Sequence, residues 1–203
     1  MKQSQTSYVI LGILAIHPNQ SGYEIRQTIQ QTVGFFWGES YGQLYPTLKR
    51  LASEGLIEVT RPSSAAKTKR QEYSLTPAGH ARLQLWLAMP YRDDPPRNEF
   101  LLKLFFGRDA APGVSIEHLR KFQEGNRSLL ASLSGLETLA RAHYSGNPNP
   151  GFPFWVLTLS FGLAQIRSAL EWSESALAML SASEAAPASN PQPEDAFPVV
   201  NHP

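Results

Sequence analysis

The chain contains no cysteine. That absence excludes disulfide scaffolds, iron–sulfur clusters, thiolate zinc sites and cysteine nucleophiles, and it fits a reducing cytoplasm, the expected location. Long apolar runs are missing too. Tyr8–Ile16 is apolar but far shorter than the roughly 20 residues of a membrane span, and no small-residue cleavage site follows it. It reads as a buried helix. Residues 142–166 lack Asp, Glu, Lys and Arg, yet Pro148, Pro150 and Pro153 interrupt them, so no membrane partner is expected. A dominant charge is also lacking: 18 basic residues face 17 acidic ones, a net +1 that alone points to neither nucleic acid nor an anionic surface.

What is present is a core and a divided charge. With 42% hydrophobic and 10% aromatic residues among 203, the chain has enough apolar material for one large domain or two small ones. Residues 1–90 carry nine Lys/Arg against five Asp/Glu, a net +4, whereas residues 91–203 carry nine against twelve, a net −3. The segment 61–71 alone holds four basic residues and no acid, so it accounts for the whole excess of the first part.

The order of elements follows from punctuation. Ser7–Ile16 is a helix apolar on nearly every face, ended by His17-Pro18, and its burial on all sides implies contact with more than its own domain. Ser21-Gly22-Tyr23-Glu24 has capping-box form and opens a second helix with Ile25, Ile29 and Val33 at helical spacing. Ser40-Tyr41-Gly42-Gln43 repeats that form. Behind it Leu44, Leu48 and Leu51 share a face and Gly55 supplies a left-handed stop, so helix three covers 41–54, with Pro46 predicting a distorted or 3₁₀ first turn. Leu56–Thr60 and Glu72–Thr76 alternate like half-buried strands around the polar, basic stretch 61–71. Thr76-Pro77 then starts a fourth helix that carries Leu83, Trp86 and Leu87 inward and ends at Pro90.

Three helices, a two-stranded wing and a further helix describe a winged helix-turn-helix, in which helix three enters the DNA major groove. Its outer face offers Gln43, Thr47, Lys49 and Arg50 as donors and acceptors for base edges. The wing residues Arg61, Lys67, Lys69 and Arg70 suit phosphates, which give affinity without sequence choice.

After the proline-rich linker 91–96 come a short helix 98–106 and two long helices. The first, 115–143, has Leu119, Phe122, Asn126, Leu129, Leu133, Leu136 and Ala140 at heptad-like spacing; the second covers 154–180 and packs antiparallel to it. Five of the sixteen prolines fall in the final 181–203, so the tail 183–203 is expected to be disordered. The fold class is therefore mainly α: a winged helix-turn-helix over 1–90, the linker 91–96 and a C-terminal helical dimerisation domain over 97–182.

Several stretches resemble one family. Leu44-Tyr45-Pro46-Thr47-Leu48-Lys49-Arg50-Leu51, Glu54-Gly55-Leu56-Ile57 and Lys69-Arg70-Gln71-Glu72-Tyr73-Ser74-Leu75-Thr76-Pro77-Ala78-Gly79 resemble the helix-three and wing signatures of PadR-type repressors, named for phenolic-acid response. Ser21-Gly22-Tyr23-Glu24-Ile25 matches that family's second helix. Leu102–Arg108, Phe161-Gly162 and Glu171-Trp172 are similar to marks of its longer subgroup, whose helical C-terminal domain makes the homodimer. The resemblance implies a DNA face of Ser40, Tyr41, Gln43, Tyr45, Pro46, Lys49 and Arg50, with Lys67, Lys69, Arg70 and Tyr73 in the wing. Tyr45 has a rival role packing against helix two. Ser63–Thr68 replaces the usual glycine and proline of the wing, and Gly42-Gln43 stands where glycine-serine is common.

A dimer on palindromic double-stranded DNA is the geometric remedy for the few contacts of one winged helix. The expected function is a homodimeric, sequence-specific transcriptional repressor, released by a small phenolic or other aromatic effector. His118, Trp155, Arg167 and Trp172 are the candidate effector residues, although core packing competes for Phe122, Leu129, Trp155, Phe161 and Trp172. The five histidines show no metal spacing and no cofactor is expected. No nucleophile–base pair, phosphate loop or paired carboxylates suggest an enzyme, Asp93-Asp94 being a solvated turn. The alternative is a winged-helix adaptor that binds an acidic protein through its basic loop.

Overall fold

The computed structural model describes residues 5–38, 41–60, 71–91, 97–144 and 149–185. The expected Ser40 cap, the wing tip 61–70, most of the linker and the tail from 186 onward lie outside these residues; 183–185 simply continue the last helix. The chain divides between 95 and 96 into two compact units, each described by itself.

The first unit runs α1 (Gln5–Ile16), β1 (Gln20–Ser21), α2 (Gly22–Gln31), a 3₁₀ turn (Tyr41–Gln43), α3 (Leu44–Ser53), β2 (Ile57–Thr60), β3 (Glu72–Leu75) and α4 (Pro77–Leu87). The capping box at Ser21 forms as its spacing requires: the Glu24 N–H donates to Ser21 Oγ at 3.3 Å, and the Ser21 N–H donates to Glu24 Oε2 at 2.8 Å. Pro46 is accommodated by the 3₁₀ turn that precedes α3. Gly55 takes φ +69°, and the Leu56 N–H closes on the Leu51 carbonyl at 3.0 Å, the six-to-one bond that ends a helix. Thr76 caps α4 by accepting from the Gly79 N–H at 3.1 Å, and its hydroxyl donates to the Gly55 carbonyl at 2.7 Å, which ties α4 to the end of α3.

Burial of Ile10, Leu11 and Leu14 of α1, Ile25 and Ile29 of α2, and Leu44, Leu48 and Leu51 of α3 makes one core, roofed by Leu56, Ile57, Tyr73 and Leu83. The sheet has three antiparallel strands in the order β1-β3-β2, not two. Gln20 and Ser21 pair with Tyr73 and Glu72, so β3 is central. Asn19 permits this short extra strand by adopting φ +58°; its N–H donates to Ser74 Oγ and its side-chain oxygen accepts from that hydroxyl at 2.8 Å. The strict alternation expected of 56–60 does not hold, since Val59 is exposed. Nor does all of α4 point inward: Trp86 lies flat on Tyr8, ring centroids 4.5 Å apart, while Leu87 is 66% exposed because it continues the Gly79–Leu83 stripe past the end of the core.

The second unit comprises α5 (Glu99–Phe105), a 3₁₀ turn (Gly107–Asp109), α6 (Val114–Tyr144) and α7 (Phe152–Ala185). Glu184 Oε1, near the end of α7, accepts from the Gly113 N–H at the start of α6, so the two long helices are antiparallel. Their buried seam is not quite the expected one. It follows Ile116, Leu119, Gln123, Asn126, Leu130, Leu133, Glu137 and Ala140, against Leu163, Ile166 and Ser173 of α7. Leu136 stands exposed instead.

Candidate nucleic-acid interface

The outer face of α3 is shaped by what its inner face must bury. Leu44, Leu48 and Leu51 are at most 1% exposed, and a helix that turns 100° per residue then sends Gln43, Pro46 and Lys49 outward. Gln43 and Lys49 are exposed with no side-chain partner among the described residues. They are poised as a base-reading amide and a phosphate-seeking ammonium. Tyr41 contributes its backbone to the 3₁₀ turn leading into this face.

Tyr45 holds both of its rival positions. Its side chain is 54% exposed, yet the edge of its ring rests on Gly22, where an added Cβ would come within 2.7 Å of Tyr45 Cε1. Glycine in the capping-box motif is thus the seat for this tyrosine, a relation invisible in either segment alone.

Three residues expected to face DNA, Thr47 and Arg50 on α3 and Tyr73 in the wing, are turned elsewhere. Thr47 is only 5% exposed, because it stands three residues from both Leu44 and Arg50 on the flank covered by the core. The guanidinium of Arg50 donates from Nη2 to Ser7 Oγ at 2.6 Å, and Ser7 of α1 is wholly buried. Arg50 therefore bolts the recognition helix to α1. Tyr73 sits on the central strand, 6% exposed, and its hydroxyl donates to Gln71 Oε1 at 3.2 Å. Burial, and then the proximity of Tyr45, push its phenol above the usual tyrosine range. Its ring roofs the core. Ser40, Lys67, Lys69 and Arg70 lie outside the described residues.

The four candidate effector residues do not meet within one chain. Trp172 belongs to an aromatic cluster in which Phe100 and Phe122 stack at 4.4 Å and the indole stands edge-on to both, at 6.1 and 6.0 Å. His118 lines a recess of about 320 Å³ with Lys103 and Lys121 that shares Phe100 and Phe122 with this cluster but is not lined by Trp172. Trp155 lies at the start of α7 over Gly151, seventeen residues and about 25 Å of helix from Trp172. Arg167 is exposed on the helix between them. Of the residues weighed for core packing, Phe161 is 63% exposed and so is not packed within this chain. Among the described residues no cluster of three or more His, Asp or Glu could hold a metal ion, and no helix is long and apolar enough to cross a membrane.

A winged helix whose third helix offers an uncommitted amide and ammonium defines a DNA-binding transcriptional regulator. Comparison with known proteins agrees: the model of the transcriptional regulator PadR-like family matches residues 10–85, and that of the virulence activator alpha C-terminal domain matches 96–181. The negative transcriptional regulator PadR of Bacillus subtilis is 31% identical over 179 residues, covering 85% of this chain and 96% of that protein. Its crystal structure with operator DNA aligns at a TM-score of 0.76 and 27% identity, over 89% of this chain and 99% of that one. Its complex with p-coumaric acid aligns at 0.63 and 27%, over 86% and 98%. The virulence activator AphA of Vibrio cholerae aligns at 0.64 with 25% identity, over 88% and 99%. The chain belongs to the PadR-like family of transcriptional regulators.

Proposed function

We propose that this protein is a homodimeric repressor that binds a palindromic operator through α3 and the basic segment 61–71, and that a small aromatic effector releases it. The observation that carries the DNA-binding reading is the outer face of α3, where Gln43, Pro46 and Lys49 are exposed over a helix whose inner leucines are fully buried. Operator binding and a phenolic-acid complex in the Bacillus subtilis relative support the same reading. Dimerisation is supported by a stripe of apolar residues on α7, Phe154, Leu157 and Phe161, exposed at helical spacing. The charge balance supports a division of labour, the basic excess lying in 61–71 and the acidic excess beyond residue 90.

Fluorescence anisotropy with a labelled upstream fragment, repeated across salt concentrations, tests this reading. Phosphate contacts demand a steep linear fall of log K with log salt. Alanine at Lys67, Lys69 and Arg70 weakens binding to every sequence alike, whereas Gln43→Ala relaxes choice at particular bases. A flat salt dependence overturns operator binding in favour of an adaptor that docks on protein.

A further inference from the structure

In the second unit, the 3₁₀ turn after α5, the first turns of α6 and the last third of α7 enclose an open cleft of about 700 Å³, a size that suits a small ligand. Trp172, Met179 and Leu180 of α7 line it together with Leu104 of α5. Along α7 it extends from Trp172 to Glu184, about 18 Å. The indole is pinned edge-on by the Phe100–Phe122 stack, which orders this wall before any ligand arrives.

Among the described residues two charged side chains line the cleft, Arg108 and Glu184, and they are not equivalent. Glu184 keeps its charge at the far end of α7 from Trp172, with its Oε1 held by the Gly113 N–H at 2.9 Å. Arg108 is exposed and has no side-chain partner among the described residues. A planar guanidinium at the edge of an apolar slot is matched by a carboxylate, which accepts two parallel N–H bonds from it.

We infer that this cleft binds a small amphipathic carboxylate, its apolar body against Trp172 and Met179 and its carboxylate on Arg108. The site rests on the effector reading for its role and gives that role a different place, since Trp172 is the one candidate effector residue that lines it. Ligand binding here would load the helical unit, not the winged helix.

The test uses the full chain, with p-coumarate, its neutral amide and octanoate as calorimetric probes and operator anisotropy on the same samples. Arg108→Gln and Met179→Glu change exposed positions, so the fold is expected to survive, and far-UV circular dichroism checks this. The expected result is one carboxylate bound per chain, weakened about tenfold or more by either substitution, with binding of the amide unchanged in Arg108→Gln. Carboxylate binding that ignores both substitutions, or no binding of either acid by the unsubstituted protein, overturns the site. If p-coumarate still releases the operator equally from both variants, the cleft is wrong and the effector reading stands. Arg108-dependent binding that leaves operator affinity untouched keeps the cleft and removes its link to DNA.

Discussion

Lys49 and Arg50 are adjacent cations with different surroundings. One residue along a helix is a rotation of 100°, which is enough to leave Lys49 in solvent and bring Arg50 Nη2 to 2.6 Å from the buried Ser7 hydroxyl. Lys49→Ala is therefore expected to lower the slope of log K against log salt by about one. Arg50→Gln is expected to leave the slope unchanged and to lower stability by about 1.5–3 kcal/mol, because the charge-assisted bond to the buried Ser7 hydroxyl is lost. Equal slope losses in the two variants would return Arg50 to the phosphate-binding set. Tyr73 gives a second test at this scale. With its folded pKa raised, the neutral phenol is favoured by folding, so its contribution is complete below the unfolded value near 10 and is lost as pH rises through the folded value. Stability should fall above about pH 10, and Tyr73→Phe should flatten that limb of a denaturation-versus-pH curve. Helical-face reading together with the family motif put Arg50 at the DNA, and the motif put Tyr73 there, because neither records which way a side chain turns.

At the scale of elements, local chemistry did much of the work. The Ser21 box, the glycine stop at Gly55, the 3₁₀ turn before Pro46 and the Thr76-Pro77 start are short-range bonds, so they were legible in four- and five-residue patterns. Gly79 was read only as part of a family signature. Its role is steric: a Cβ there would overlap the Leu56 carbonyl oxygen at the point where α4 crosses the end of α3. Gly79→Ala should cost about 1–3 kcal/mol in chemical denaturation although alanine favours helices, whereas a neutral result would mean that α4 can shift outward. The seam of α6 shows the limit of periodicity. Leu119, Asn126, Leu133 and Ala140 recur every seven residues and suit two stripes, one flanked by Phe122, Leu129 and Leu136 and the other by Gln123, Leu130 and Glu137. The second is the more deeply buried, even though Gln123 Nε2 has no hydrogen-bond partner among the described residues, while Phe122 of the first still meets Trp172 of α7. Apolarity favoured the first stripe; packing left its Leu136 exposed and buried Gln123 of the other.

For the whole molecule, the apolar residues left uncovered carry the largest consequence. Phe154, Leu157 and Phe161 project from α7 with about two thirds of their surface exposed, too large a contiguous patch for a solvated helix. On the proposed dimer, the double substitution Leu157→Glu with Phe161→Glu is expected to halve the mass measured by light scattering, to retain helicity, and to lower affinity for the proposed palindrome while sparing a half-site. An unchanged mass would remove this patch from the proposed interface. What the sequence determined by itself was the class of the fold, the order of helices and strands, the caps and stops, and a basic excess confined to 61–71, because each depends on neighbours along the chain or on composition. Tertiary structure alone decided which cation of α3 faces solvent, that Tyr73 is core, that a third strand completes the sheet, which stripe of α6 is the more deeply buried, and that His118, Trp155, Arg167 and Trp172 stand apart. These are matters of orientation and long-range approach, set when whole helices pack, and no periodicity of one or two turns encodes them.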